Sequence, residues 1–220
     1  MMKKAAYLGL IVITLVAAGC ASKSLDIPNL ERSSTFVVED LRPDSEKVDK
    51  TFSLLIGTKS YGIYRRGDKW VDPDPIRLFQ HKLFEKYPDV SNQPDVKVHH
   101  LVVYQNARSQ LSRGAIGGAL GGIIGSVIAS STNKYGIDGK ASLTSREKFN
   151  SFEEEYQRAN YTVEENPGKV TVYKVYLEAE IDGKRTFVTT MTPIKLPKDD
   201  ERNPHAVAIE TAMAYLLDQY

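Results

Sequence analysis

The chain has 220 residues, with 29 lysines and arginines against 28 aspartates and glutamates, and a formal net charge of +1. This near balance excludes a general nucleic-acid binder, which needs a basic excess or a basic stripe. Hydrophobic residues make up 41% and charged ones 26%, which fits a folded domain rather than a disordered chain. The single cysteine excludes both an intrachain disulfide framework and a cysteine-rich metal site.

Lys3 and Lys4 precede an apolar run, Ala5 to Ala18, broken only by Thr14. The run is shorter than the ~20 residues of a membrane span and has the length of a signal-peptide core. It ends in Leu15-Val16-Ala17-Ala18-Gly19-Cys20, which resembles the lipobox of bacterial lipoproteins. The resemblance implies cleavage of residues 1–19, a diacylglycerol thioether on Cys20 and acylation of its new amine. Losing Lys3 and Lys4 takes the net charge from +1 to −1. Several acyl chains, at ~0.8 kcal/mol per buried methylene, hold a protein far more firmly than one. The implied partner is a membrane, reached through the lipid. Ala21, where an aspartate would favour inner-membrane retention, resembles an outer-membrane address with the body in the periplasm.

Residues 20–34 follow as a lipidated N-terminus and a polar tether without periodicity, able to reach roughly 45 Å. A single domain is expected over residues 35–220. Thr35 to Leu41 is rich in β-branched and apolar residues and predicts a first strand, ended by Pro43. Phe52 to Tyr64 fits a further strand or hairpin. Asp74-Pro75 predicts a capped helix start, with Ile76, Phe79 and Leu83 on one stripe, Leu78 beside it, and Tyr87-Pro88 as the end. Val96 to Gln105 predicts a strand, with Val96, Val98, His100, Val102 and Tyr104 on one face and Leu101 and Val103 on the other.

Gly114 to Ser131 carries no charged residue. Gly114, Gly118 and Gly122 recur every four residues, continued by Ser126 and Ser130; Gly117, Gly121 and Gly125 recur beside them, continued by Ala129. A helix would gather both rows on one small-residue face suited to close packing in lipid or against another copy. Each glycine costs ~0.8–1.0 kcal/mol relative to alanine in a helix, so such a helix needs lipid or a partner. The segment resembles the glycine zippers of bacterial envelope lipoproteins. Membrane insertion or homo-oligomerisation stands against a glycine-rich loop or a buried helical hairpin. The insertion spans 112–131.

Thr144 to Glu147 resembles a capping box and predicts a helix carrying Phe149, Phe152 and Tyr156 on one side. In Val170 to Thr192, residues Tyr173, Val175, Leu177, Ala179 and Ile181 alternate with Lys174, Tyr176, Glu178 and Glu180. Asp182-Gly183 then supplies a tight hairpin turn. Tyr173 and Tyr176 fall on opposite faces, one expected in the core and the other at a partner contact. Asn203-Pro204 opens a last helix with Ala206, Ile209, Met213, Leu216 and Leu217 on its apolar face.

No catalytic constellation stands out, and no cofactor or metal site is expected. The histidines are His81, His99, His100 and His205; adjacent strand residues face opposite sides, so His99 and His100 would not share a ligand. Asp68, Asp72 and Asp74 lack the spacing of a calcium loop and suit helix capping instead. Asp40, Arg42 and Asp44 suit a local ion-pair turn.

The order of lipobox, tether, Phe36-Val37-Val38-Glu39-Asp40-Leu41-Arg42, helix at Ile76 to Tyr87, hairpin at Asp182-Gly183 and final helix resembles the YajG-type outer-membrane lipoproteins. The likeness covers most of 35–110 and 168–220; residues 112–166 depart from it. It implies an α+β domain, a small mixed or antiparallel sheet with two or three packed helices, and no established enzymatic activity. The expected function is a non-enzymatic outer-membrane lipoprotein. It would present a periplasmic module to an envelope protein partner, for envelope assembly or maintenance. The alternative is an oligomeric membrane-active component that uses the glycine segment.

Overall fold

The structure is a computed structural model that describes residues 25, 27–52, 62–107, 140–162, 165, 171–198 and 200–220. Its most local feature is the turn at Asp182 and Gly183, both left-handed with φ of 50° and 77°. That backbone matches the twist of the two strands it joins. β6 (Val172–Ile181) and β7 (Lys184–Pro193) therefore pair in antiparallel register from Ile181–Lys184 to Val172–Pro193. The turn also clasps the residue before the next strand: the Asp182 amide donates to the Asp95 carbonyl, and the Asp182 carboxylate accepts from the Asp95 amide.

β4 (Val96–Asn106) pairs along the other edge of β6. Val98 faces Ala179 and His100 faces Glu178, so His99 is an extra residue, a β-bulge. The bulge corrects the expected faces. Val96, Val98, Leu101 and Val103 share one core with Val175, Leu177, Ala179 and Ile181, whereas Val102 and Tyr104 join Tyr176 in a second core on the opposite face. The three-residue step from Val98 to Leu101 is the phase slip written in the sequence.

β1 (Glu39–Asp40), β2 (Lys50–Phe52), β3 (Ile63–Arg66) and β5 (Lys140–Leu143) complete a sheet of order β2-β3-β4-β6-β7-β5. β1 pairs in parallel with Lys97 and Val98, while β3 pairs antiparallel with Val103 to Asn106. The same edge of β4 thus serves both strands, which limits β1 to two residues. The longer strand expected over Thr35 to Leu41 is not formed. Phe36 turns inward and is fully buried, and Val37 is 77% exposed.

Two capped helices cover one face. In α1 (Pro75–Lys86) the Asp74 carboxylate accepts from the amides of Ile76 and Arg77. In α3 (Pro204–Leu217) the Asn203 side chain accepts from the His205 amide and donates to the Trp70 carbonyl. Leu78, Phe79, Leu83, Ile209, Met213 and Leu216 are completely or almost completely buried against the sheet. Burying each such side chain stabilises by ~1.5–3 kcal/mol. The opposite face is covered more thinly. α2 (Arg146–Asn150) is only five residues long, capped by Ser145 rather than by the expected Thr144–Glu147 pair, and ends before Phe152. A 3-10 turn at Glu155–Ala159 continues the cover. Phe149 is the buried anchor there. The fold is an α+β domain, as expected.

The tether expected up to residue 34 ends earlier. The Leu25 amide donates to the Asp72 carbonyl at 2.7 Å, and Leu25 and Ile27 pack on the core. Leu30–Thr35 forms a 3-10 helix whose Leu30 carbonyl accepts from Arg77. Leu25, Ile27 and residues 30–34 therefore belong to the domain rather than to the expected tether.

One ion-pair cluster ties the first segment to the sheet edge. Arg42, with 1% of its side chain exposed, donates to both oxygens of Asp40 at 2.8 and 3.0 Å and to both of Asp68 at 3.0 and 2.9 Å. Burial works against Asp40 ionising, but the hydrogen bonds and charge of Arg42 outweigh it and hold its pKa below the usual carboxylate value. Asp44 does not reach Arg42; it pairs with Lys47, which lies 3.5 Å from Asp40.

Two predictions follow from this architecture. Arg42→Leu strands two partly buried carboxylates and should cost ~3–5 kcal/mol in urea denaturation; a loss under ~1 kcal/mol would mean that solvent screens the cluster. Deleting His99 leaves every other β4 side chain on its present face, so that variant should still unfold cooperatively. Deleting Val102 inverts the residues before it and should abolish the fold. Equal damage from the two deletions, read by circular dichroism, would reject the bulge account.

Candidate functional site

The bulge sends His99 and His100 to the same side of the sheet, against the expectation of opposite faces. Both meet carboxylates of β6, whose regular alternation places Glu178 and Glu180 together on that side. His99 Nε2 lies 3.3 Å from a Glu180 oxygen. His100 Nδ1 lies 2.6 Å from Glu46, and its Nε2 lies 3.7 Å from Glu178. Glu46 comes from a 3-10 turn at Asp44–Lys47 and also accepts from the Leu101 amide. The His100 ring stacks near-parallel to Phe187 at 5.9 Å and leans on Phe149 at 5.1 Å.

Arginines complete the cluster. Glu178, with 4% of its side chain exposed, is held by Arg146 of α2 and Arg185 of β7, each at 2.9 Å. Lys97 lies 3.8 Å from Glu180. Each carboxylate therefore has a cationic or imidazole partner, and the partners of the two imidazoles are themselves carboxylates. A general base needs a proton to take from a nucleophile or substrate within hydrogen-bond reach. This arrangement instead fastens the 44–47 turn and α2 onto the sheet. Among the described residues no group of three or more metal-ligating side chains is positioned to hold an ion. Sequence reasoning missed Glu46, Glu178, Glu180, Arg146 and Arg185, because the bulge that assembles them leaves only the phase slip as its trace.

A second polar cluster works in the same way. Arg65 pairs with Glu155, which also binds Lys50 at 2.8 Å and accepts from the Tyr104 hydroxyl at 3.4 Å. Burial opposes ionisation of Glu155, yet Lys50 and Arg65 together hold its pKa below the ordinary value. Asp68, Asp72 and Asp74 diverge: Asp68 goes to Arg42, the Asp72 carbonyl takes the Leu25 amide, and Asp74 caps α1. Tyr173 and Tyr176 do face opposite sides, but both are buried, so neither is a surface for a partner. An open cleft of about 730 Å³ between α1 and α3 is lined by Lys82, Glu85, Lys86, Arg202, Glu210 and Asp218, so it offers no field of one sign. Cys20 and the small-residue positions Gly114, Gly117, Gly118, Gly121, Gly122 and Gly125 lie outside the described residues.

The other histidines sit apart. His81 is buried on α1 with Nδ1 lacking a partner and Nε2 3.5 Å from Glu85. His205 is buried at the start of α3 against Tyr173, 5.2 Å between rings. Burial, and then the charge of Arg66, push its pKa down to about 4, although Asp49 pulls the other way. A histidine with a lowered folded pKa takes up its proton more readily when unfolded. Its contribution to stability is therefore complete above the unfolded value near 6.5 and is lost as pH falls toward about 4. His205→Leu should remove ~2 kcal/mol of the stability lost between pH 7 and pH 5, measured by urea denaturation at both. An unchanged pH dependence would reject this assignment.

No protein-family model, curated protein or solved structure matches this chain.

Proposed function

We propose that the protein is a non-enzymatic outer-membrane lipoprotein of the YajG type. Diacylglycerol and an N-acyl chain on Cys20 anchor it, and its α+β domain meets an envelope protein partner in the periplasm. The observation that carries this reading is the chain's one cysteine, which ends Leu15-Val16-Ala17-Ala18-Gly19-Cys20 behind a short apolar run and two lysines. Leu25, five residues later, already packs on the core of the domain. The non-enzymatic part is supported by how the charged clusters are used: the carboxylates around Arg42, Arg65 and His100 bind one another's segments. Among the described residues no helix is long and apolar enough to cross a membrane.

A second reading, an oligomeric membrane-active component, is favoured by the charge-free rows Gly114, Gly118, Gly122 and Gly117, Gly121, Gly125. One experiment separates the two. In a bacterial host fed an alkyne-bearing fatty acid, the wild-type chain should take up label and fractionate with the outer membrane. Cys20→Ser should lose both. A Cys20→Ser chain that is unlabelled, has its signal still cleaved elsewhere and stays in the membrane fraction would transfer the anchoring role to the glycine segment. A wild-type chain that takes up no label would overturn the lipoprotein reading.

A further inference from the structure

The sheet gives this domain two distinct ends. One holds the start of β4 at Val96, the Asp182–Gly183 turn and the chain end. There Lys86, at the end of α1, donates to the Leu217 carbonyl, and the Tyr220 hydroxyl donates to the Lys184 carbonyl. The other holds the end of β4 at Asn106, the start of β6 at Val172 and the end of β7 at Pro193, which are joined in register.

Both main helices start at this second end. His205, in the first turn of α3, packs on Tyr173, and Asn203 holds the Trp70 carbonyl. Trp70 in turn lies under Arg66, 4.6 Å from its ring centre, and Arg66 donates to Gln105. Two residues on, the Asp72 carbonyl receives the Leu25 amide, and α1 begins at Pro75.

Leu25 is thus docked at the end where the helices start, and only Ala21 to Ser24 separate it from Cys20. Five Cα-to-Cα steps reach at most about 17 Å. β6 alone is ten residues long, which at ~3.3 Å per residue is about 30 Å from end to end. If the Asp182–Gly183 end stood on the bilayer, Leu25 would be held farther from the lipid than the chain can stretch. Ala107, just beyond the end of β4, donates to the Gly62 carbonyl at the second end, and Lys140 pairs with Met191, two residues from the end of β7. The sequence that carries the charge-free residues 114–131 is therefore left and re-entered from the same end as the anchor.

Resting on the lipoprotein reading, we infer that the domain stands with its helix-start end on the lipid surface, and that Trp70 is its interfacial side chain. Trp70 is 38% exposed, with its indole N–H donating to Asp49 at 2.7 Å. An indole with an apolar body and a satisfied polar tip suits the headgroup layer. Charge does not set the orientation, because the exposed Lys69 and Arg202 are mixed there with the exposed Asp72 and Asp74. The short leash sets it. The Asp182–Gly183 turn and Tyr220 then point away from the membrane, toward the periplasmic partner.

Trp70 is the only tryptophan, so the native lipidated protein is its own probe. It would be reconstituted into phosphatidylethanolamine–phosphatidylglycerol vesicles that carry brominated acyl chains. Trp70 emission should be lost to bromines placed near the headgroups, relative to unbrominated vesicles. Two reporters at the far end, Tyr220→Trp and Tyr87→Trp, each combined with Trp70→Phe, should keep their emission. The wild-type measurement stands even if one of these variants fails to fold. Protein that floats with the vesicles but shows no loss at Trp70, or equal loss at both ends, overturns the orientation and leaves the anchor intact. Protein that carries no acyl group and does not float overturns the anchor, and this inference with it.

Discussion

One extra residue in the central strand sets the terms for the rest of the molecule. β4 lies between β6 on one edge and both β1 and β3 on the other, and with both faces of the sheet covered its side chains enter two cores. Side chains alternate with a strict period of two, so a regular strand could not keep on one face an apolar set that passes from even to odd positions. The bulge at His99 absorbs that slip of one residue and holds the set on one face. Val96 and Val98 before it, and Leu101 and Val103 after it, all reach the helix-covered core, while Val102 and Tyr104 reach the other. The same slip turns His99 and His100 toward Glu180 and Glu178, so the polar cluster and the double core have one origin.

The two faces are held by different physics. On the helix side, long amphipathic elements bury large side chains, and the hydrophobic effect suffices. On the other side the covering pieces among the described residues are short: five residues of α2 and two 3-10 turns. A helix that short is not stable by itself. Side-chain contacts fasten each piece to the sheet. Glu46 reaches His100, Arg146 reaches Glu178, and Glu155 reaches Arg65 and Lys50. Arg42 does the same for the N-terminal segment through Asp40 and Asp68. These charged groups are thus occupied in attaching segments. Much of the domain's charged inventory is committed internally.

Legibility followed the range of the interactions. The Asp182–Gly183 hairpin, the Asp74-Pro75 and Asn203-Pro204 helix starts, and the apolar stripes of α1 and α3 were readable, because a few neighbouring residues decide them. The faces of β4, the brevity of β1 and the breaking of the helix near Phe152 were not. The first two depend on what lies across the sheet: β4 absorbs an extra residue against the regular β6, and β3 occupies the edge of β4 beyond β1. The docking of Leu25 and Ile27 was not readable for the same reason. Leu25 and Ile27 look isolated in a polar stretch and are apolar contacts only once α1 and the core are assembled.

The sequence by itself determined the N-terminal signal pattern around Cys20, the charge-free character of residues 114–131 and the α+β class, since composition and short-range periodicity carry all three. Tertiary structure alone decided that His99 and His100 share a face, that Arg42 beside Asp40 reaches Asp68, 26 residues along the chain, and that Leu25 packs on the core. It also decided that Leu25 and both flanks of residues 108–139 lie toward one end of the sheet. These are distances between residues far apart in the chain. No local pattern encodes them, because they arise only when strand pairing and core packing close at the same time.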